Sequence, residues 1–260
     1  MSSSTQRIGM LLDTSKCMGC RGCQVACKQW NQLRAEKTEF TGTYQNPPRL
    51  SGQTWTLITF NEIEGTEPQP VKWLFRKEQC HHCGEATCLQ VCPTGAIRKT
   101  DEGIVYIDQA VCAGCKYCVE TCPFQVPHAD HTTGTARKCW MCMDRVQNGM
   151  KPACATACTT GAIEFGPWET MAETARKRVE ALKAEGIAAA SVYGDQDMLG
   201  GLGAMYVLTE SPAAYGLPDK PTLPHAKIAW KWLLGLVPGL FLLAAMFKGL
   251  RKKEAAEANA

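Results

Sequence analysis

The chain has almost no net charge: 28 Lys and Arg against 25 Asp and Glu leave +3 over 260 residues. A balance this even gives no case for nucleic acid, whose partners gather basic surface. The first sixteen residues are polar and lack both an apolar core of about 7–15 residues and a paired arginine, so the chain is expected to carry no export address of its own. Also missing are paired carboxylates in a plausible site, a nucleophile elbow, a phosphate-binding glycine loop and a dinucleotide fingerprint. Those absences argue against bond-making chemistry.

What is abundant is cysteine, 16 residues in all. They fall into four groups: Cys17, Cys20, Cys23, Cys27; Cys80, Cys83, Cys88, Cys92; Cys112, Cys115, Cys118, Cys122; and Cys139, Cys142, Cys154, Cys158. The groups echo one another. Asp13 and Asp108 each precede their first cysteine by four positions, leading into C-M-G-C-R-G-C and C-A-G-C-K-Y-C. Cys92 opens C-P-T-G-A-I and Cys158 opens C-T-T-G-A-I. This is an internal duplication.

Cys112 to Pro123 match C-x2-C-x2-C-x3-C-P, a tight loop that offers three thiolates to one cubane and a fourth to a different cluster. The second group has two more residues before its third cysteine, the first has Lys28 in place of the proline, and the fourth has a long insertion between Cys142 and Cys154. Zinc sites draw cysteines as separated C-x2-C pairs, unlike the first three groups. Disulfides suit an exported chain, and no signal is seen. Four all-cysteine [4Fe–4S] clusters use every thiol with none left over, and a row of them conducts single electrons. His81 and His82 stand between ligands, but four cysteines in that group leave no vacancy for a histidine. His128, His131 and His225 have no partner spacing. Arg21, Lys116 and Lys138 are candidates for raising cluster potentials, and Trp140 for shielding a cluster from water.

The pattern predicts an α+β fold of ferredoxin type, with each C-x-x-x-C on a helical turn and a short strand at 104–107 before the third group. Aromatic and β-branched runs at 54–63 and 71–75, separated by Gly65, Pro68 and Pro70, predict a hairpin insertion. Met171, Ala175, Val179 and Leu182 recur at helical spacing, which predicts an amphipathic surface helix over 168–184. Residues 1–209 form the expected four-cluster domain and proline-rich 210–226 an extended linker. Residues 228–247 are nearly unbroken apolar sequence, long enough as a helix to cross about 30 Å of hydrocarbon. A single transmembrane helix is therefore expected over 227–248, with Lys231 snorkelling beside Trp230 and Trp232. Gly235 and Gly239 either make a small-residue packing face or merely flank Pro238. Lys248, Arg251, Lys252 and Lys253 against Lys220 and Lys227 favour a cytoplasmic C-terminus with the cluster domain on the outer, periplasmic side. Residues 249–260 are a polar tail.

The four groups in this order resemble the four-cluster electron-transfer subunits of molybdenum or tungsten pterin oxidoreductases. Within them the chain is most similar to the iron–sulfur (beta) subunits of membrane-bound formate dehydrogenases. The likeness is carried by C-M-G-C-R-G-C-Q-V-A-C-K-Q-W-N from Cys17, K-C-W-M-C-M-D-R-V from Lys138, P-A-C-A-T-A-C from Pro152, L-G-G-L-G-A-M-Y-V-L from Leu199 and Y-G-L-P from Tyr215. Thr159, where the family often has proline, departs from it. The resemblance implies two nested modules, 1–79 with 139–209 and 80–138. It also implies ligand sets Cys17, Cys20, Cys23, Cys158; Cys27, Cys139, Cys142, Cys154; Cys80, Cys83, Cys88, Cys122; and Cys92, Cys112, Cys115, Cys118. Implied partners are a catalytic bis-pterin subunit that oxidises formate and a membrane cytochrome b (gamma) subunit that reduces quinone. The sibling alternative is a subunit serving a quinol-dependent reductase of sulfur or nitrogen compounds.

Overall fold

A computed structural model describes residues 6–222. The elements in chain order are β1 (Ile8–Asp13), α1 (Gly22–Trp30), β2 (Leu57–Thr66), β3 (Gln69–Glu78), α2 (Thr87–Gln90), β4 (Ile97–Lys99), β5 (Val105–Ile107), α3 (Tyr117–Thr121), β6 (His128–Ala129), β7 (Ala136–Arg137), α4 (Met143–Gln147), α5 (Ala153–Thr156), β8 (Ile163–Pro167), α6 (Trp168–Ala184), β9 (Ser191–Tyr193) and β10 (Ala204–Leu208). Helix and strand are mixed, and the helices that carry cysteines are short, from four to nine residues.

The main sheet has the order β8-β1-β10-β9, with β1 and β10 parallel and both outer pairs antiparallel. Its central strands are apolar on both faces, so they are covered on both sides. Leu11, Met205 and Val207 pack under α6 against Trp168, Ala172 and Ala175. The alternate residues Met10, Leu12, Ala204, Tyr206 and Leu208 face the layer that contains the cysteines. The bounds and the buried stripe of α6 agree with the helix expected from the sequence.

One arrangement occurs twice. β8, which follows the fourth cysteine group, pairs antiparallel with β1, which leads into the first, and Leu12 is opposite Ile163. β4, which follows the second group, pairs antiparallel with β5, which leads into the third, and Ile97 is opposite Ile107. Each copy has its own apolar cluster, the smaller one built on Ala86, Ile97, Val105 and Ala136.

The hairpin is longer than its apolar runs. β2 and β3 pair from Leu57–Glu78 out to Thr66–Gln69, so the ladder extends beyond Gly65 and Pro70. A two-stranded ribbon leaves alternate N–H groups unpaired, and a proline there removes no ladder bond.

The expected linker over 210–226 needs correction in its first half. Pro212–Tyr215 form a 3-10 turn closed by Gly216, and Tyr215 is buried. The Tyr215 hydroxyl meets Thr14 Oγ1 at 2.9 Å and Thr209 Oγ1 at 2.8 Å, and Tyr193 donates to the Pro218 carbonyl at 2.7 Å. Proline spacing signals an irregular backbone, but it does not reveal that two tyrosines hold that backbone down. Among the described residues no helix is long and apolar enough to cross a membrane. The transmembrane helix expected over 227–248, and the polar tail, lie outside the described residues.

Candidate metal centres

Each C-x-x-C pair bends the same way. The residue before the second cysteine is left-handed in all four groups: Gly19 at φ 69°, His82 at 46°, Gly114 at 68° and Met141 at 58°. That turn aims the backbone back at the first sulfur, so His82 N–H points to Cys80 Sγ at 3.5 Å and Met141 N–H to Cys139 Sγ at 3.4 Å. Histidine and methionine accept a conformation that costs about 1–2 kcal/mol where glycine is absent, a cost the loop geometry must outweigh.

The duplicated motifs are conformational copies too. Asp13 Oδ1 accepts from Ser15 N–H at 3.0 Å, and Asp108 Oδ1 from Ala110 N–H at 3.1 Å. Arg21 and Lys116 are both left-handed at the starts of α1 and α3. Cys92 and Cys158 each lie 3.8 Å from a threonine hydroxyl two residues on, Thr94 and Thr160.

Cys17, Cys20 and Cys23 line one pocket together with Cys158, and Met18, Ile58, Phe75, Ala162 and Ile163 complete an apolar wall. α1 packs beside α5, which brings Cys23 and Cys27 within electrostatic reach of Cys154. Cys142 is influenced by Cys154 and Cys27. Cys83 is influenced by Cys80, Cys122 and Cys88, and Cys118 by Cys112, Cys115 and Cys92. Further couplings join neighbouring groupings: Cys23 with Cys154, Cys139 with Cys80, and Cys88 with Cys118. Cys20 and Cys115 are exposed, and the other thiols are buried or half-buried.

Burial pushes the thiols of Cys23, Cys88 and Cys142 up to about 12 and that of Cys118 up to about 11. Burial also acts to raise Cys92, but N–H groups of Ile97, Ala96 and Thr94 and the Thr94 hydroxyl hold it below the ordinary thiol range. Thiols this high keep their protons at neutral pH, so a metal must displace them on binding. Among the described residues no three His, Cys, Asp or Glu side chains close on a single-ion site. An all-sulfur donor set spread around a cavity fits an iron–sulfur cluster, which is held by four thiolates.

The buried histidines are structural. His81 stacks on Phe124 at 3.9 Å, and His82 Nδ1 accepts from Val105 N–H at 3.1 Å. Of the three cations singled out from sequence, Lys138 is buried, Lys116 is exposed, and Arg21 lies 4.7 Å over the ring of Phe60. Trp140 is half-buried and lines a cavity with Trp55 and Lys138. Sequence reasoning missed Lys77, a buried lysine on β3 that lines the cavity of Cys17, Cys20, Cys23 and Cys158. Its only signal is alternation along a strand that reads as scaffold.

The Leu199–Leu208 motif joins the two copies. Gly84 N–H donates to the Gly201 carbonyl at 2.7 Å and Glu85 N–H to that of Leu199 at 2.6 Å, while Gly203 and Ala204 donate to His82 and His81 at 3.1 and 2.9 Å. The loop of the second cysteine group is thus stitched to the start of β10.

The family described as a 4Fe-4S dicluster domain matches residues 71–168, and a second family of the same description matches residues 16–96. The iron–sulfur subunit of the nitrate-inducible formate dehydrogenase of Escherichia coli is 42% identical over 231 residues, covering 87% of this chain and 78% of that protein. The formate dehydrogenase iron–sulfur subunit of Haemophilus influenzae is 41% identical over 232 residues, 87% of this chain and 73% of that one. The formate dehydrogenase-O iron–sulfur subunit of E. coli is 40% identical over 230 residues, at 87% and 76% coverage. Two dicluster domains in a chain this similar to such subunits along most of its length establish that it belongs to the family of formate dehydrogenase iron–sulfur subunits.

Proposed function

We propose that the sixteen thiols hold four [4Fe–4S] clusters in crossed sets: Cys17, Cys20, Cys23 and Cys158; Cys27, Cys139, Cys142 and Cys154; Cys80, Cys83, Cys88 and Cys122; and Cys92, Cys112, Cys115 and Cys118. The chain is the electron-transfer subunit of a formate dehydrogenase, and the relatives do not favour service to a quinol-dependent reductase. The observation that carries the crossed sets is that Cys158 shares one pocket with Cys17, Cys20 and Cys23, while β8 pairs with β1 and β4 with β5, so that the fourth group returns to the first and the second to the third. Cys20 and Cys115, the exposed thiols, belong to the two end sets. Electrons enter at one end and leave at the other, while the two middle sites stay shielded from solvent.

The donor is a catalytic subunit that oxidises formate at a molybdenum or tungsten bis-pterin centre, and the acceptor a membrane cytochrome b that reduces quinone. Residues 227–248 anchor the chain as a single transmembrane helix, with the cluster domain on the outer side and Lys248, Arg251, Lys252 and Lys253 in the cytoplasm.

Anaerobic purification in detergent through a tag on this chain, followed by low-temperature EPR with and without formate, tests the proposal. The expected result is about sixteen irons per chain, co-purifying catalytic and cytochrome subunits, and several [4Fe–4S] signals reduced by formate. Signals reduced by quinol alone would overturn the direction, and an iron content near half that value would overturn the number of clusters.

A further inference from the structure

Three cations are buried among the described residues: Arg76, Lys77 and Lys138. Arg76 is compensated by the Glu78 carboxylate at 3.7 Å and by the Tyr215 carbonyl, to which its Nε donates at 2.7 Å. No described carboxylate pairs with Lys77 or Lys138. Lys77 Nζ has the Thr56 hydroxyl at 3.5 Å, and Lys138 Nζ donates to the carbonyls of Val105 and, at 3.1 Å, Cys139. Neutral oxygens do not balance a whole charge taken out of water, so an anionic partner is required in each place.

Thiolates that hold a cluster would supply it. Lys77 lies within electrostatic reach of Cys23, which belongs to the first proposed set, and of Cys27, Cys139 and Cys154, which belong to the second. Lys138 is within reach of Cys139 of the second set and of Cys80 and Cys88 of the third. We propose that Lys77 is the fixed counter-charge between the first and second clusters and Lys138 that between the second and third, each raising the reduction potential of the clusters on both sides.

This rests on the crossed ligand sets proposed above. Reducing a cluster adds one electron and hence one negative charge. A cation at fixed distance in a poorly polarisable interior stabilises the reduced form more than the oxidised one. Net charge and hydrogen bonding are the means by which a protein sets cluster potentials. Burial draws the Lys77 ammonium down, yet Cys154, Cys23, Cys139 and Cys27 outweigh it and hold the group above the ordinary lysine range. The fold delivers the two lysines from different places. β3 turns Lys77 to the face opposite Arg76, and its backbone is pinned where Tyr206 donates to the Lys77 carbonyl at 2.8 Å. Lys138 follows directly from β7. The hairpin insertion thus carries an electrostatic element into the row of clusters.

The test uses the holo complex, with Lys77→Met and Lys138→Met followed by EPR-monitored redox titration under anaerobic conditions. Serine variants at Cys158, Cys27, Cys122 and Cys92 assign each signal to a set. Lys77→Met is expected to lower the reduced-to-oxidised ratio at fixed potential at least tenfold for the Cys158 and Cys27 sets, about 59 mV for a one-electron couple. Lys138→Met should do the same for the Cys27 and Cys122 sets. The Cys92 set should not respond to Lys77→Met, and arginine at either position should restore most of the shift. Potentials that stay put while iron content is full overturn the proposal. If the methionine chains do not load, Lys77→Gln and Lys138→Gln are judged on the same criterion. Should those fail too, recovery of iron in the arginine variants supports a need for charge, and continued loss with arginine overturns it. Serine variants that remove the wrong signals would instead overturn the ligand sets.

Discussion

The indole N–H of Trp140 donates to Asn31 Oδ1 at 2.6 Å, joining residues 109 positions apart. Asn31 Nδ2 in turn donates to the Cys27 carbonyl at 2.9 Å and lies 3.7 Å from Cys27 Sγ. One side chain therefore ties the end of α1 to the loop of the fourth cysteine group, and the Trp30-Asn31 ending of the first motif has a structural role.

Asn31→Ala is expected to cost about 1–2 kcal/mol by leaving a half-buried indole N–H without its acceptor. Trp140→Phe should cost a similar amount, and the double variant less than the sum, with a coupling of about 1 kcal/mol. Thermal melts of the loaded, anaerobic chain read all three. Strict additivity would mean that the bridge contributes nothing.

A side chain at Gly84 would run into the Gly200 carbonyl, where the loop of the second cysteine group meets the Leu199–Leu208 segment. Gly84→Ala must push these backbones apart and strain the bonds from Gly84 to Gly201 and from Glu85 to Leu199. The expected loss is at least about 2 kcal/mol. Gly95, whose added Cβ meets nothing within 4 Å although its φ is 65°, should lose less, about 1–2 kcal/mol on substitution by alanine. Melting temperatures of the two variants make the comparison.

The proposed crossed ligation has a direct consequence at Cys122. Its neighbours in charge include Cys80, and Cys83 is influenced by Cys122 in return. Cys122→Ser is expected to damage the cluster of Cys80, Cys83 and Cys88 while sparing the one built mainly on Cys112, Cys115 and Cys118. EPR of the reduced variant distinguishes the two, and loss of the second signal alone would sink the crossed sets.

Asp130 supplies a pH dependence. Burial acts to raise its carboxyl, but Thr132 N–H at 2.9 Å, the Arg137 guanidinium at 3.0 Å and neighbouring threonine hydroxyls hold it below the ordinary range. A depressed carboxyl contributes stability that is present above its unfolded value, about 3.9, and is lost as pH falls through that value toward the folded one. Asp130→Asn should lower stability by roughly 1–3 kcal/mol at pH 7, and the gap to the unmodified chain should close as the medium is acidified below about pH 4. A gap that stays constant with pH would show that the charge is not involved.

Several features were legible because they are local. Cysteine spacing, the echo of Asp13 by Asp108 and of Cys92 by Cys158, and the stripe of α6 all depend on residues a few positions apart, where chain geometry leaves few choices. The crossed sets remain a proposal that came from the resemblance, and the pairing of β8 with β1 and of β4 with β5 is consistent with it. The hairpin was visible as a pattern but not in its length, because a ribbon's alternate N–H groups make Pro70 harmless.

By itself, then, the sequence determined the four cysteine groups, the duplication and the helix over the sheet. Tertiary structure alone decided that Leu12 lies beside Tyr206, that Tyr215 reaches back to Thr14, and that Lys77 rather than Lys116 is enclosed among thiols. The reason is that burial and charge compensation are properties of a neighbourhood in space. A lysine in an alternating strand reads the same whether its neighbour is water or a cluster site, until distant segments close around it.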